Sequence, residues 1–130
     1  MEFSSNQPIY LQVATWLEQQ ILEGKYQIGH KIPGVRDLAV NLIVSTRTVQ
    51  NAVNQLVTRG LIVTKRGQGN FVTEDATKID MIKSNKKMHV TQEYINEIMH
   101  VAQVQEIPGL IASAIKEYED ERTRRDNVTG

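Results

Sequence analysis

Residues 31 to 72, KIPGVRDLAVNLIVSTRTVQNAVNQLVTRGLIVTKRGQGNFV, constrain what this chain can fold into more than any other stretch. Val35, Leu38, Ala39 and Leu42 recur at the spacing of one helical face. After a turn at Ile43 and Val44, Ser45 stands where a helix start needs a side-chain acceptor. Val49, Ala52, Val53, Leu56 and Val57 then repeat the apolar stripe, and Gly60 ends it. Leu61 to Thr64 and Asn70 to Thr73 are two β-prone runs around Lys65-Arg66-Gly67-Gln68-Gly69, a hairpin signature. Two short amphipathic helices, a tight turn and a glycine-tipped hairpin in that order predict a winged helix-turn-helix.

The flanking segments fit that frame. Residues 1 to 7 read as a polar lead-in, and Pro8 suits the first position of a helix, where its missing N–H costs nothing. Ile9, Val13, Leu17 and Ile21 form that helix's stripe, widened by Tyr10, Ala14 and Trp16, with Gly24 just past its end. Ile28, Gly29 and Pro33 mark an irregular connection. From Glu74 no strand signal remains, and the chain reads as helical to about Asp126. Ile79, Ile82, Tyr94, Ile95, Ile98 and Ala102 share a face of one long helix, although Lys83, Lys86 and Lys87 interrupt it and a break near Asn85 is the alternative. Pro108-Gly109 punctuates, and Leu110, Ile111, Ala114, Ile115 and Tyr118 stripe a last helix whose charged end, from residue 119, is expected to fray. The expected fold class is mainly α with a small β-hairpin. Residues 1–74 form the winged helix-turn-helix and residues 75–130 an α-helical dimerisation region.

Charge supports this division. The net charge is zero, but residues 1 to 73 hold seven Lys/Arg against four Asp/Glu, and residues 74 to 130 hold eight against eleven. The basic excess sits on the segment with the helix-turn-helix pattern. With no cysteine, disulfides, thiolate metal sites and cysteine nucleophiles are excluded, and a reducing cytoplasm is the expected setting. No apolar run nears the ~18 residues of a membrane span, and no charged-then-apolar leader follows Met1. His89 and His100 lie on one helical face but ~16 Å apart along its axis, so one ion cannot join them; with His30 they read as surface histidines. Met81, Met88 and Met99 read as core filler. No Ser-His-Asp or paired-carboxylate arrangement stands out, so no catalytic residue, cofactor or metal is expected.

The outward face of the third helix is Arg47, Thr48, Gln50, Asn51 and Asn54. Arg can grip guanine O6/N7 bidentately, and Gln can do the same for adenine. Lys65 and Arg66 beside two glycines suit phosphate binding.

With these residues laid out, the chain resembles the GntR family of transcription regulators. The likeness runs from Pro8-Ile9-Tyr10 through Lys31-Ile32-Pro33-Gly34-Val35-Arg36-Asp37-Leu38-Ala39, Thr48-Val49-Gln50 and Arg59-Gly60-Leu61-Ile62 to Gly67-Gln68-Gly69-Asn70-Phe71-Val72. The short helical tail is similar to the small YtrA-type subfamily. The resemblance implies that Arg36 clamps the DNA backbone, that Ser45, Thr46, Arg47, Thr48 and Gln50 read bases and phosphates, and that Gly67 enters the minor groove flanked by Lys65, Arg66 and Gln68. One small reading head contacts too few bases for useful specificity, and the tail's amphipathic helices need a partner to bury their stripe. A homodimer on a palindromic double-stranded DNA operator, acting as a repressor, is therefore expected. A winged helix used for protein binding is the alternative. Two departures from the family pattern stand out. Gly34 replaces a usual serine, removing a capping hydroxyl, and Ile43 replaces a usual glycine in the helix-helix turn. A β-branched residue at positive φ is strained by ~1–3 kcal/mol, so the turn is expected to be rearranged around Ile43.

Overall fold

The computed structural model describes residues 1–129, and along them the elements run α1 Ile9–Leu22, α2 Val35–Leu42, α3 Thr46–Thr58, β1 Ile62–Lys65, β2 Gly69–Val72, α4 Ala76–Ile98 and α5 Ile107–Thr129. This is the mainly helical chain with one hairpin that the stripes predict. Two compact units divide it, Met1–Asn85 and the residues from Lys86 onward.

In the first unit, Pro8 is extended (φ −53°, ψ 142°) and its carbonyl accepts from Leu11 and Gln12, so it caps α1 from outside instead of opening it. Residues 1 to 7 are also more than a lead-in. Gln12 Oε1 accepts from the Ser4 N–H at 2.8 Å, and Gln12 Nε2 donates to the Ser4 and Gln7 carbonyls at 2.9 Å. This clip holds Phe3 against the core. Val13, Ala14, Leu17 and Ile21 are buried, whereas Ile9 is half exposed, so the apolar stripe starts one turn late. Gly24, at φ 78°, lets the chain leave α1. Trp16 and Tyr26 then meet edge-to-face at 6.3 Å, and burial raises the Tyr26 hydroxyl above its ordinary pKa.

The core gathers where α1 and α2 pack on α3, through Leu38, Ala39, Leu42, Val49, Ala52, Val53 and Leu56. Truncating a side chain as enclosed as Leu56 to Ala costs about 2–5 kcal/mol. Val57 departs from expectation: it is 37% exposed, at the edge of the buried stripe. Arg59, just past α3, reaches back to α1, with Nη2 2.9 Å from Glu18 Oε1 and Nη1 3.3 Å from Oε2.

The strands pair antiparallel, Ile62 with Val72 through Lys65 with Gly69. Each is shifted one residue toward the tip from the run the sequence suggests, starting at Ile62 and ending at Val72. This leaves a three-residue loop, Arg66-Gly67-Gln68, closed by the Gln68 N–H on the Lys65 carbonyl at 2.9 Å. The supposedly irregular connection supplies a third, minimal strand. Lys31 bridges Phe71, the Ile32 N–H donates to the Asn70 carbonyl and the Val72 N–H to the His30 carbonyl, both at 2.9 Å. The unit runs on to Asn85 because Ile79 (4% exposed) and Ile82, in the first turns of α4, join the core.

α4 is one helix to Ile98, without a break near Asn85. In the second unit, a 3-10 turn at Val104–Glu106 leads into α5, capped reciprocally by Gln103 and Glu106. Pro108 and Gly109 lie inside the first turn of α5, where a missing N–H is harmless, so they do not interrupt the helix. The charged end is helical as far as Thr129, and Gly130 lies outside the described residues. Ile107 is buried, but Tyr94, Leu110, Ile111, Ile115 and Tyr118 remain 38–64% exposed. Met81, Met88 and Met99 are also exposed, so they are surface residues and not core filler. His89 meets Glu93 one turn on at 2.9 Å. No described helix is long and apolar enough to cross a membrane.

Candidate nucleic-acid interface

All ten residues that the sequence singles out lie in the first unit, on the start of α2, the start of α3 and the wing. Gly34 caps α2 in an extended conformation (φ −63°, ψ 157°) with no side-chain hydrogen bond, so the first N–H groups of α2 stay open. Arg36 is exposed beside them and, like Asp37, forms no ion pair among the described residues.

Ile43 has φ 57° and ψ 54°, the left-handed region, so the turn is not rearranged. The backbone wins over the side chain because two hydrogen bonds fix it. The Ile43 N–H bonds the Val40 carbonyl at 3.3 Å and the Val44 N–H the Ala39 carbonyl at 3.0 Å, the Schellman closure of a helix. Val44, half buried, packs on the core, while Ile43 is 89% exposed. The strain sits in a turn whose own side chain faces solvent.

At the start of α3, Ser45 Oγ accepts the Thr48 N–H at 3.1 Å and lies 2.9 Å from Thr48 Oγ1. These two hydroxyls therefore serve the cap first, and Thr48 is half buried. Thr46, Arg47 and Gln50 are exposed. Arg47 has no hydrogen-bond or ion-pair partner among the described residues, whereas Gln50 Nε2 donates to Asn54 Oδ1 at 2.9 Å. The polar and buried faces of α3 separate because Val49, Ala52, Val53 and Leu56 take the opposite side of the helix.

On the wing, Gly67 (φ 75°) gives the loop its left-handed residue, with nothing near the place of a Cβ. Arg66 and Gln68 project from it, exposed. Lys65 belongs to β1, and its Nζ lies 4.4 Å from the centre of the Phe71 ring. That cation–π contact holds the ammonium against the strand without neutralising it. Lys31 lies alongside: a Cβ on Gly69 would come within 2.7 Å of its Cε. The sequence reading missed Lys31 as a wing neighbour, because a single bridge leaves no alternating pattern to detect. It also missed Asn54 as the partner of Gln50, although their spacing of four along a helix is the usual signal.

The family model described as bacterial regulatory proteins, gntR family, matches residues 9–72. The HTH-type transcriptional repressor YtrA of Bacillus subtilis (strain 168) is 36% identical over 89 residues, 64% of this chain and 68% of that protein. The uncharacterized HTH-type transcriptional regulator YhcF of the same organism is 29% identical over 105 residues, 81% of this chain and 87% of that protein. Among solved structures, a GntR family transcriptional regulator from Listeria monocytogenes superposes with a TM-score of 0.80 at 29% identity, over 85% of this chain and 98% of that one. The AraR DNA-binding domain in complex with operator ORX1 matches with a TM-score of 0.53 at 31% identity, over 55% of this chain and 93% of that one. These relatives are transcription regulators and not enzymes.

Proposed function

Because the chain belongs to the GntR family of transcriptional regulators, with that family's DNA-binding domain, we propose that it is a repressor that binds a palindromic operator as a homodimer in the cytoplasm. The observation that carries the reading is the state of its arginines. Arg36, Arg47 and Arg66 stand exposed and without a partner among the described residues at the start of α2, the start of α3 and the wing tip, while Arg59, the other arginine of the first unit, is held by Glu18. Unpaired guanidiniums on a protein surface are ready for phosphates and guanine edges without first breaking an ion pair. In this reading Arg36 and the open N–H groups of α2 bind backbone phosphate. Ser45, Thr46 and Thr48 place the start of α3, Arg47 and Gln50 reach base edges, and Lys65, Arg66, Gly67 and Gln68 follow the adjacent backbone.

Residues 1–74 then form the DNA-binding domain and residues 75–130 the dimerisation region, whose first turns also close the DNA-binding core. Tyr94, Ile111, Ala114, Ile115 and Tyr118 line an open groove of about 430 Å³ in the second unit. An apolar face of this kind is covered when two copies pair by isologous contact. Two heads related by a two-fold axis read enough bases for useful specificity, which one small head does not. Repression is the reading favoured by the likeness to YtrA, named as a repressor.

Selection of bound fragments from random DNA tests the operator, and sedimentation of the full chain tests the assembly. Expected are two inverted half-sites about one helical turn apart and a dimer at micromolar concentration. An unselective protein or a monomer overturns the reading.

A further inference from the structure

Asn54 carries none of the roles assigned so far, yet it is the side chain that holds Gln50. Gln50 Nε2 donates to Asn54 Oδ1 at 2.9 Å, one turn further along α3, and both side chains are exposed. A glutamine carboxamide has two N–H bonds and one carbonyl oxygen. One N–H is committed to Asn54, while the other and Oε1 have no partner among the described residues. In the major groove an adenine presents an acceptor, N7, beside a donor, the N6 amino group. The open N–H and Oε1 of Gln50 match that order. Turning the Gln50 carboxamide over would set Oε1 against Asn54 Oδ1, two acceptors face to face, so reversal requires both carboxamides to turn together.

We propose that Asn54 is a positioning residue that satisfies the inner N–H of Gln50 and so biases its carboxamide toward reading adenine. The inference rests on α3 being the base-reading helix. In water, a polar pair four residues apart on a helix biases orientation by only about twofold. On docking, water leaves the groove, and an unpaired Gln50 N–H there weakens the contact by on the order of tenfold. The effect therefore shows in base discrimination and hardly at all in the stability of the free protein.

The test uses the full chain and the operator found by selection. Wild type, Gln50→Ala, Asn54→Ala, Asn54→Asp and the double variant Gln50→Ala with Asn54→Ala are titrated against that operator and its single-base variants. Gln50→Ala is expected to flatten the preference for adenine at one base pair per half-site. Asn54→Ala flattens the same position about tenfold, and the double variant is no flatter than Gln50→Ala alone. Asn54→Asp keeps the acceptor, so it keeps the preference while its charge weakens all sequences together. Unchanged preference in Asn54→Ala overturns the proposal, as does a change at a different base pair that adds to that of Gln50→Ala. A base other than adenine at the Gln50 position overturns the donor–acceptor match. If the wild type selects no sequence, the reading of α3 itself fails; a selective wild type with an indifferent Asn54→Ala sinks the positioning role alone.

Discussion

Replacing Ile43 by glycine is expected to stabilise the protein. A β-branched residue held at φ 57° and ψ 54° costs about 1–3 kcal/mol relative to an unstrained conformation. Glycine adopts that region freely but loses about 0.5–1 kcal/mol more chain entropy on folding. The side chain is 89% exposed, so its removal forfeits little packing. The balance runs from break-even to a gain of about 2.5 kcal/mol, and for a domain of this size each kcal/mol raises Tm by roughly 4–8 °C. Asparagine, which tolerates the left-handed region better than isoleucine, falls between them. Calorimetric melts of the full chain, with denaturant midpoints at unchanged m-value, read the effect. A glycine variant melting below the wild type would refute the strain, and with it the assignment of a left-handed turn held by the Val40 and Ala39 carbonyls.

Three further outcomes follow from the interface and the core. A chain ending at Asn85 is expected to melt cooperatively as a monomer with much weaker operator binding, while one ending at Glu74 loses the buried Ile79 and about 2–5 kcal/mol; equal melts of the two would show that α4 contributes nothing to the core. Arg47→Ala should cost ~1–3 kcal/mol of operator binding and relax preference at one base pair per half-site, whereas Arg66→Ala weakens all sequences about equally; single-base operator variants distinguish the two, and the reverse pattern would place α3 outside the groove. If each protomer neutralises about four phosphates, binding of the dimer falls with salt at a log–log slope near −7 despite zero net charge, and a slope near zero removes the phosphate contacts.

What the sequence made legible is what periodicity encodes. The faces of α2 and α3 separate cleanly because every fourth or third residue is apolar, and Ser45 marks the start of α3 by a hydrogen bond that its hydroxyl is well placed to make. The glycines of the wing mark their turn for the same reason: Gly67 and Gly69 both take positive φ. Periodicity is blind to pairings made by a single residue, so the strand contact of Lys31 with Phe71 stayed hidden between Gly29 and Pro33. The three lysines in α4 masked its continuity, because a helix does not need an unbroken apolar stripe where solvent covers its face. At Ile43 the sequence signal was real but was resolved the wrong way. A residue type that dislikes a conformation raises its energy without forbidding it, and two backbone hydrogen bonds outweighed the preference. As for the interface, residue type and spacing located the polar face of α3, but which of its side chains are already committed, as Thr48 is to Ser45 and Gln50 to Asn54, depends on rotamers.

The third strand also bears on how the wing would dock on DNA in the proposed reading. A free two-stranded hairpin is marginally stable in water, so a wing of that kind would be a partly ordered arm. Here β2 is bonded on both edges, to β1 on one side and to His30 and Ile32 on the other. Fixing one residue's backbone costs about 1–2 kcal/mol, and a loose arm would meet that cost for each residue as it docked. In this chain the strands of the wing are already paired, and the Gln68 N–H on the Lys65 carbonyl closes the loop between them. Docking of the wing is then closer to the closing of a rigid jaw than to folding on a template. It is expected to proceed without the large heat-capacity decrease of coupled folding, and at a rate set by encounter with the duplex, with no slow step for the hairpin to find its shape.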